Sequence, residues 1–72
     1  MSTTALERLW SLTGNNQLFR CELHDRGRWG TEAQIHWNGR MLIGWRFETR
    51  ALALEWALEE RADLEHRHAR IH

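Results

Sequence analysis

The chain has 72 residues, and its ten arginines, with no lysine, balance ten acidic residues, so the formal net charge is zero. A chain of this length forms one domain with a thin core, which excludes a two-domain enzyme with a cleft between lobes. Zero net charge excludes a polyanion binder that is driven by bulk charge. The 42% hydrophobic and 28% charged residues are the composition of a folded domain.

The sequence indicates a cytoplasmic protein without a membrane span. It has no apolar run of spanning length, and its first residues lack the basic and apolar segments of a signal peptide. Cys21 is the single cysteine, so an intrachain disulfide and a cysteine-based zinc site are excluded, and we expect a buried structural thiol. No phosphate loop or catalytic arrangement is recognisable. We therefore expect no cofactor, no metal site and no enzymatic activity.

The first predicted element is a helix over residues 4–13. Thr4 and Glu7 have the spacing of a capping box. Apolar residues then follow at helical intervals, namely Leu6, Leu9 and Trp10. The Gly-Asn-Asn sequence at residues 14–16 tolerates the left-handed conformation that ends helices, so the helix is expected to stop there.

Three strands are predicted from alternating apolar and polar residues, over residues 17–24, 31–36 and 40–47. Two glycines mark the loop over residues 25–30. The apolar positions of the strands define one face, and Trp45 is expected in the core. The polar positions define an opposite face that no element covers.

The dipeptide Asn38-Gly39 predicts a hairpin between the last two predicted strands. A two-residue turn would place the apolar residues 41, 43, 45 and 47 on the polar face. A three-residue loop over residues 37–39 instead pairs Ile35 with Met41 and keeps one apolar face. We therefore expect the three-residue loop, with Gly39 at a bulge.

The last predicted element is a helix over residues 50–68 that Thr49 caps, followed by a frayed tail. The residues expected to face the sheet are Ala51, Leu54, Ala57, Leu58 and Ala62. Leu52 and Trp56 lie on a flank of that stripe. The expected fold class is α+β in a single domain over residues 1–72, with the order α-β-β-β-α and both helices on one face of a three-stranded antiparallel sheet.

The uncovered sheet face carries the candidate nucleic-acid contacts. Arginine pairs bidentately with guanine edges, and a sheet fits the major groove of duplex DNA. The candidates on the strands are Arg20, Gln34, Arg40 and Arg46, and those in the loop are Arg26, Arg28 and Trp29. The alternative is that an uncovered antiparallel sheet face is polar without any ligand. His24 and His36 are expected at opposite ends of this face, too far apart for one metal site.

Two resemblances support the nucleic-acid hypothesis. The stretch from Trp29 to Trp56, with Ala33-Gln34-Ile35, Gly39-Arg40, Phe47-Glu48-Thr49 and an alanine-rich helix, resembles the plant-type AP2 DNA-binding domain and the arm-binding domains of phage-type integrases. These families imply a three-stranded sheet on one helix that binds DNA with its strands. In the predicted order of elements, the whole chain also resembles the double-stranded RNA-binding domain.

The sequence therefore predicts a small binding module, with duplex DNA as the first candidate partner. The alternative is a protein-interaction or regulatory module, in which the partner is another protein or a second copy in a homodimer. Its candidate contacts are Leu52, Trp56 and Trp37, because exposed aromatic residues beside arginine are typical of protein interfaces.

Overall fold

A computed structural model describes residues 6–69 of the chain, and side chains through residue 67. Its elements are β1 (Leu6–Gly14), β2 (Gln17–Asp25), a 3-10 turn (Gly27–Trp29), β3 (Thr31–Trp37), β4 (Arg40–Phe47) and α1 (Arg50–Ala69). The strands form an antiparallel sheet in the order β1-β2-β3-β4. The fold is therefore β-β-β-β-α, and the predicted order α-β-β-β-α is wrong.

The predicted first helix is a strand, and two local features explain the error. A bulge at Leu9 separates the pair Arg8–Glu22 from the pair Trp10–Cys21, and the extra residue gives the strand an apolar spacing that imitates a helix. Asn15 and Asn16 have φ values of 52° and 63°, but they form the β1–β2 turn and do not end a helix. Residues 4 and 5 of the predicted helix lie outside the described residues.

The β3–β4 hairpin has a two-residue turn, so the predicted three-residue loop is wrong. Asn38 and Gly39 both have positive φ values, 49° and 87°, as a type I′ turn requires, and Trp37 pairs with Arg40. Met41 therefore pairs with His36 on the polar face. A bulge at Leu42 then returns Ile43, Trp45 and Phe47 to the apolar face.

The core lies between the helix and one face of the sheet. The large buried side chains come mainly from the strands, and the helix contributes Ala53 and Ala57, which are fully buried, together with Leu64. The small alanines let the helix lie close to the sheet. Of the predicted helix stripe, Ala57 is buried and Leu54 half-buried, as expected for the side that faces the sheet. The prediction is wrong for Ala51, Leu58 and Ala62, which are exposed.

Two polar contacts lie at the start of the helix, one within it and one to the sheet. Thr49 Oγ1 accepts a hydrogen bond of 3.2 Å from the Leu52 amide, which confirms the predicted cap. Arg50 donates hydrogen bonds of 2.9 and 2.7 Å to the two carboxylate oxygens of Glu7 on β1. The start of the helix is therefore fixed to the far edge of the sheet.

One helix does not cover four strands. A helix with its side chains is about 10–12 Å wide, whereas neighbouring strands lie about 4.8 Å apart. The buried core uses residues of β1, β2 and β3, and no residue of β4 is fully buried. The helix therefore leaves β4, an edge strand, with an apolar surface in contact with solvent.

Candidate interaction surface

The most prominent exposed feature is a run of apolar side chains on β4, which we call the β4 surface. Its members are Met41, Leu42, Ile43 and Trp45, with exposed fractions of 57%, 57%, 37% and 55%. Ile43 and Trp45 lie on the helix side of the sheet because they pair with Ile35 and Ala33. Trp45 was expected in the core, and that expectation is wrong.

The predicted protein-interaction residues lie partly beside the β4 surface. Trp37 is 38% exposed and is on the helix side of β3, directly opposite the first residue of β4. Leu52 is 47% exposed. Trp56 is half-buried, and its ring centroid lies 5.8 Å from that of Phe47, so it packs inside the domain. Two of the three predicted residues are thus available to a partner.

The uncovered sheet face is an ion-pair network and not a positive stripe. Glu22 is buried at its centre, with Arg20 Nε 3.4 Å from one carboxylate oxygen and His24 Nε2 3.2 Å from the other. His36 Nε2 lies 3.6 Å from the oxygen that His24 contacts. The two histidines therefore approach the same carboxylate oxygen, which corrects the expectation that they lie at opposite ends of this face. Basic and acidic side chains thus lie next to one another on this face, an arrangement that stabilises neighbouring strands.

The loop between β2 and β3 holds a second ion pair. Arg26 Nε donates a hydrogen bond of 3.0 Å to Glu32, and this bond is the main cause that lowers the pKa of the Glu32 carboxyl below 4.5. The Asp25 carboxylate accepts a bond of 2.8 Å from the Gly27 amide and fixes the turn. Arg26 is therefore already engaged by an internal acid.

The other loop candidates form an exposed corner at the same end of the sheet. The Arg28 guanidinium lies 5.9 Å from the centroid of the Trp29 ring, and Trp29 is 65% exposed. Trp29, Trp45 and Arg46 line a shallow depression together with Arg26. This arginine–tryptophan corner combines positive charge with flat aromatic surface.

The remaining sequence candidates are not brought to that corner. Gln34 is on the uncovered face, where its Oε1 lies 3.0 Å from His36 Nε2. Arg40 pairs with Trp37, so it is on the helix side of the sheet and not on the predicted face. It also lies six residues from Arg46, a separation of about 20 Å along the strand. The seven predicted nucleic-acid contacts therefore do not form one surface.

Residues 6–69 contain neither an exposed cysteine nor a cluster of metal-ligating side chains. Cys21 is fully buried, and burial raises the pKa of its thiol to about 12, as a structural thiol requires. Within the described part of the chain, no group of three or more histidine, cysteine or acidic side chains is arranged to hold a metal ion. No helix in that part is long and apolar enough to cross a membrane.

Sequence analysis missed Met41, Leu42, Ile43 and Trp45 as surface residues. The apolar and polar residues of this segment correctly predicted a strand. The pattern did not show which strand of the sheet the helix leaves uncovered. The available signal was the sequence Met-Leu-Ile at residues 41–43, because three consecutive apolar residues cannot all lie on one face of a strand.

Comparison of the chain with protein-family models, curated proteins and solved structures finds no match in any of the three.

Proposed function

We propose that this chain is a protein-interaction module that binds its partner through the β4 surface. The observation that carries the proposal is that an edge strand of eight residues exposes four large apolar side chains. Exposed strand edges have unpaired backbone groups that bind another strand. Ile43 and Trp45 add exposed apolar area on the helix side of this edge, and Met41 adds it on the opposite face. The proposal keeps the cytoplasmic location that the cysteine count favours.

A photocrosslinking experiment in cells tests this function. A photoreactive phenylalanine analogue replaces Trp45, and the matched control carries it in place of Leu58, which is exposed to a similar degree, 49% against 55%, but is on the helix. We expect a discrete protein adduct at position 45, and we expect excess wild-type chain to compete for it while an Ile43→Arg variant does not. Equal labelling at both positions would refute the proposal.

A second candidate function is nucleic-acid binding by the arginine–tryptophan corner. The specific observation is the exposed Trp29 ring with the Arg28 guanidinium at 5.9 Å, since aromatic rings and arginines together bind unpaired bases. Arg20 is paired with Glu22, and Arg26 is paired with Glu32. Because these acids neutralise the two arginines, the sheet face attracts duplex DNA less strongly than the sequence predicted.

Fluorescence anisotropy with a labelled single strand and a labelled duplex tests the second candidate at low salt. We expect binding that falls as salt is added, because arginine–phosphate contacts release counterions. Trp29→Ala and Arg28→Ala should weaken it, whereas Arg61→Ala on the exposed side of the helix should not. Equal loss in all three variants would contradict a defined site.

A further inference from the structure

We infer that the arginine–tryptophan corner binds a single unpaired nucleotide, whose base stacks on Trp29 above Gly44 and whose phosphate contacts Arg28 and Arg46. This inference rests on the second candidate function, because it names the ligand of the same corner. The ligand chemistry, a flat base that carries a phosphate, is shared by a free mononucleotide and by an unpaired position in a single strand. The experiment separates these two sources.

The loop between β2 and β3 holds Trp29 beside β4 before any ligand binds. Gly30 approaches β4 so closely that a Cβ on it would collide with the Phe47 carbonyl oxygen. The Arg26 amide donates a hydrogen bond of 2.8 Å to the Gly30 carbonyl, and the Trp29 amide donates one of 3.1 Å to the Arg26 carbonyl. An exposed ring on a fixed loop loses little conformational entropy when a base stacks on it.

Gly44 leaves space for a base on the uncovered face of the sheet. Gly44 and Arg46 are on this face because they pair with Gln34 and Glu32. A Cβ at Gly44 would lie 3.3 Å from Glu32 Oε2 and 3.5 Å from Met41 Sδ, so a side chain there would fill the gap. Because position 44 is glycine, this gap belongs to the depression of the corner, which has a volume of about 360 Å³.

The polar groups of the depression match the edge of a base. Arg26 Nε donates its hydrogen bond to Glu32 Oε1, whereas Glu32 Oε2 lies next to the gap above Gly44. Arg46 is directly opposite Glu32 on the neighbouring strand. A carboxylate acceptor thus lies beside a guanidinium donor. The edges of unpaired bases present donors next to acceptors, so they can pair with both groups.

The unpaired charges select an anionic ligand. Glu32 is paired with Arg26, but among residues 6–67, whose side chains are described, no acid forms an ion pair with Arg28 or Arg46. Arg46 lines the depression, and Arg28 lies beside its tryptophan ring. A cation also stacks on tryptophan, but these two guanidinium groups repel it. They attract a phosphate, which arginine binds through charge-assisted hydrogen bonds.

An NMR titration of the isotope-labelled full chain at low salt tests the inference with the four ribonucleoside monophosphates. We expect at least one to bind with a millimolar or lower dissociation constant and to shift the amides of Trp29 and Gly44. The matching nucleoside and ribose phosphate should each bind at least about fivefold more weakly. A single-stranded hexamer of the preferred base that binds at least about tenfold more tightly supports a position in a strand, and equal affinity supports a free mononucleotide.

Variants of the corner test the geometry. Gly44→Val fills the space under the base, and we expect it and Trp29→Ala each to weaken binding by at least about fivefold. Gly14→Val is the matched control, because a Cβ there meets no atom within 4 Å and Gly14 does not line the corner. Circular dichroism establishes that the variants fold. Trp29→Ala, at a position that is 65% exposed, keeps the test decisive if Gly44→Val does not fold.

Three outcomes would overturn the inference. These are the absence of amide shifts with every monophosphate at millimolar concentration, equal binding of the nucleoside without its phosphate, and equal effects of folded Gly44→Val and Gly14→Val. A single strand whose binding Trp29→Ala and Arg28→Ala weaken, while no monophosphate binds, would remove the single-nucleotide site and leave the second candidate function intact. A chain that binds neither would remove both.

Discussion

The indole nitrogen of Trp10 donates a hydrogen bond of 3.1 Å to the backbone carbonyl of Ala57 and so connects the first strand to the middle of the helix. Both residues are buried, and they belong to the larger of the two core clusters. The bulge at Leu9 is what brings Trp10 to the helix side of an edge strand. The segment that the sequence had predicted as a helix thus supplies one of the largest side chains of the core.

Replacing Trp10 by phenylalanine should destabilise the fold. The variant loses the hydrogen bond and part of the packed ring, and we expect a loss of about 2 kcal/mol in the free energy of unfolding. Trp29→Phe, at an exposed loop position, should change it by less than about 0.5 kcal/mol. Urea denaturation measures both, and equal stability of the two variants would contradict the position of Trp10 in the core.

Replacing Gly30 by alanine should be more costly than the same change at Gly39. Both glycines have positive φ values, 94° and 87°, but a Cβ at Gly30 would lie 2.2 Å from the Phe47 carbonyl oxygen, whereas a Cβ at Gly39 meets no atom within 4 Å. We expect about 1 kcal/mol of destabilisation at Gly39 and at least about 3 kcal/mol at Gly30. Thermal melts of the two variants make the comparison. Similar melting temperatures would show that β4 does not approach this loop closely.

The pair of Glu7 and Arg50 should make stability depend on pH. The hydrogen bond from Arg50 lowers the pKa of Glu7 below 4.5. Because the pKa in the folded state lies below that of the unfolded chain, the stabilisation is present above the unfolded value and is lost as pH falls through the folded one. We expect a smaller acid-induced fall in melting temperature for Glu7→Gln than for the wild type.

A double-mutant cycle identifies the partner of Glu7. Arg50→Gln should remove the same part of the pH dependence, and the double variant should remove no more. High salt should reduce the difference, because both side chains are about half exposed, 47% for Glu7 and 55% for Arg50. Additive effects of the two changes would show that the residues do not interact.

The thiol of Cys21 should resist alkylation in the folded protein. Burial, with a smaller effect of the Glu22 charge, raises its pKa to about 12, so the reactive thiolate is scarce at neutral pH. We expect iodoacetamide to label Cys21 only after urea unfolds the chain, as followed by mass spectrometry. Rapid labelling without urea would mean that β2 is not covered by the helix.

The sequence predicts the strands of residues 17–47 because apolar and polar residues alternate over most of each strand, although the bulge at Leu42 interrupts the alternation in β4. It does not predict β1, because the bulge at Leu9 breaks that period and Asn15-Asn16 suits both a helix end and a type I′ turn. The rotation of the helix also escaped prediction. Its alanines occur on several sides, and tertiary packing of Ala53 and Ala57 against large strand side chains decides which side is buried.

For the candidate site, individual exposed residues were predictable, but their grouping was not. Trp29, Trp37 and Leu52 are exposed as expected. Arg40 and Arg46 lie on opposite faces of the sheet because of the bulge at Leu42. The extra residue reverses the face on which each residue before the bulge lies, relative to those after it. The apolar run at residues 41–43 marks the place of this bulge, but the side of the sheet on which each residue of β4 lies became visible only from the strand pairing.

The central claim is that the helix leaves β4 uncovered within one chain. Hydroxyl-radical footprinting with mass spectrometry tests it by comparing oxidation of Trp45 and Trp10 during serial dilution. Since Trp45 is 55% exposed and Trp10 8%, we expect Trp45 to be oxidised readily once the protein is dilute, with Trp10 protected at every concentration. A Trp45 that stays as protected as Trp10 at the lowest concentration would contradict the account.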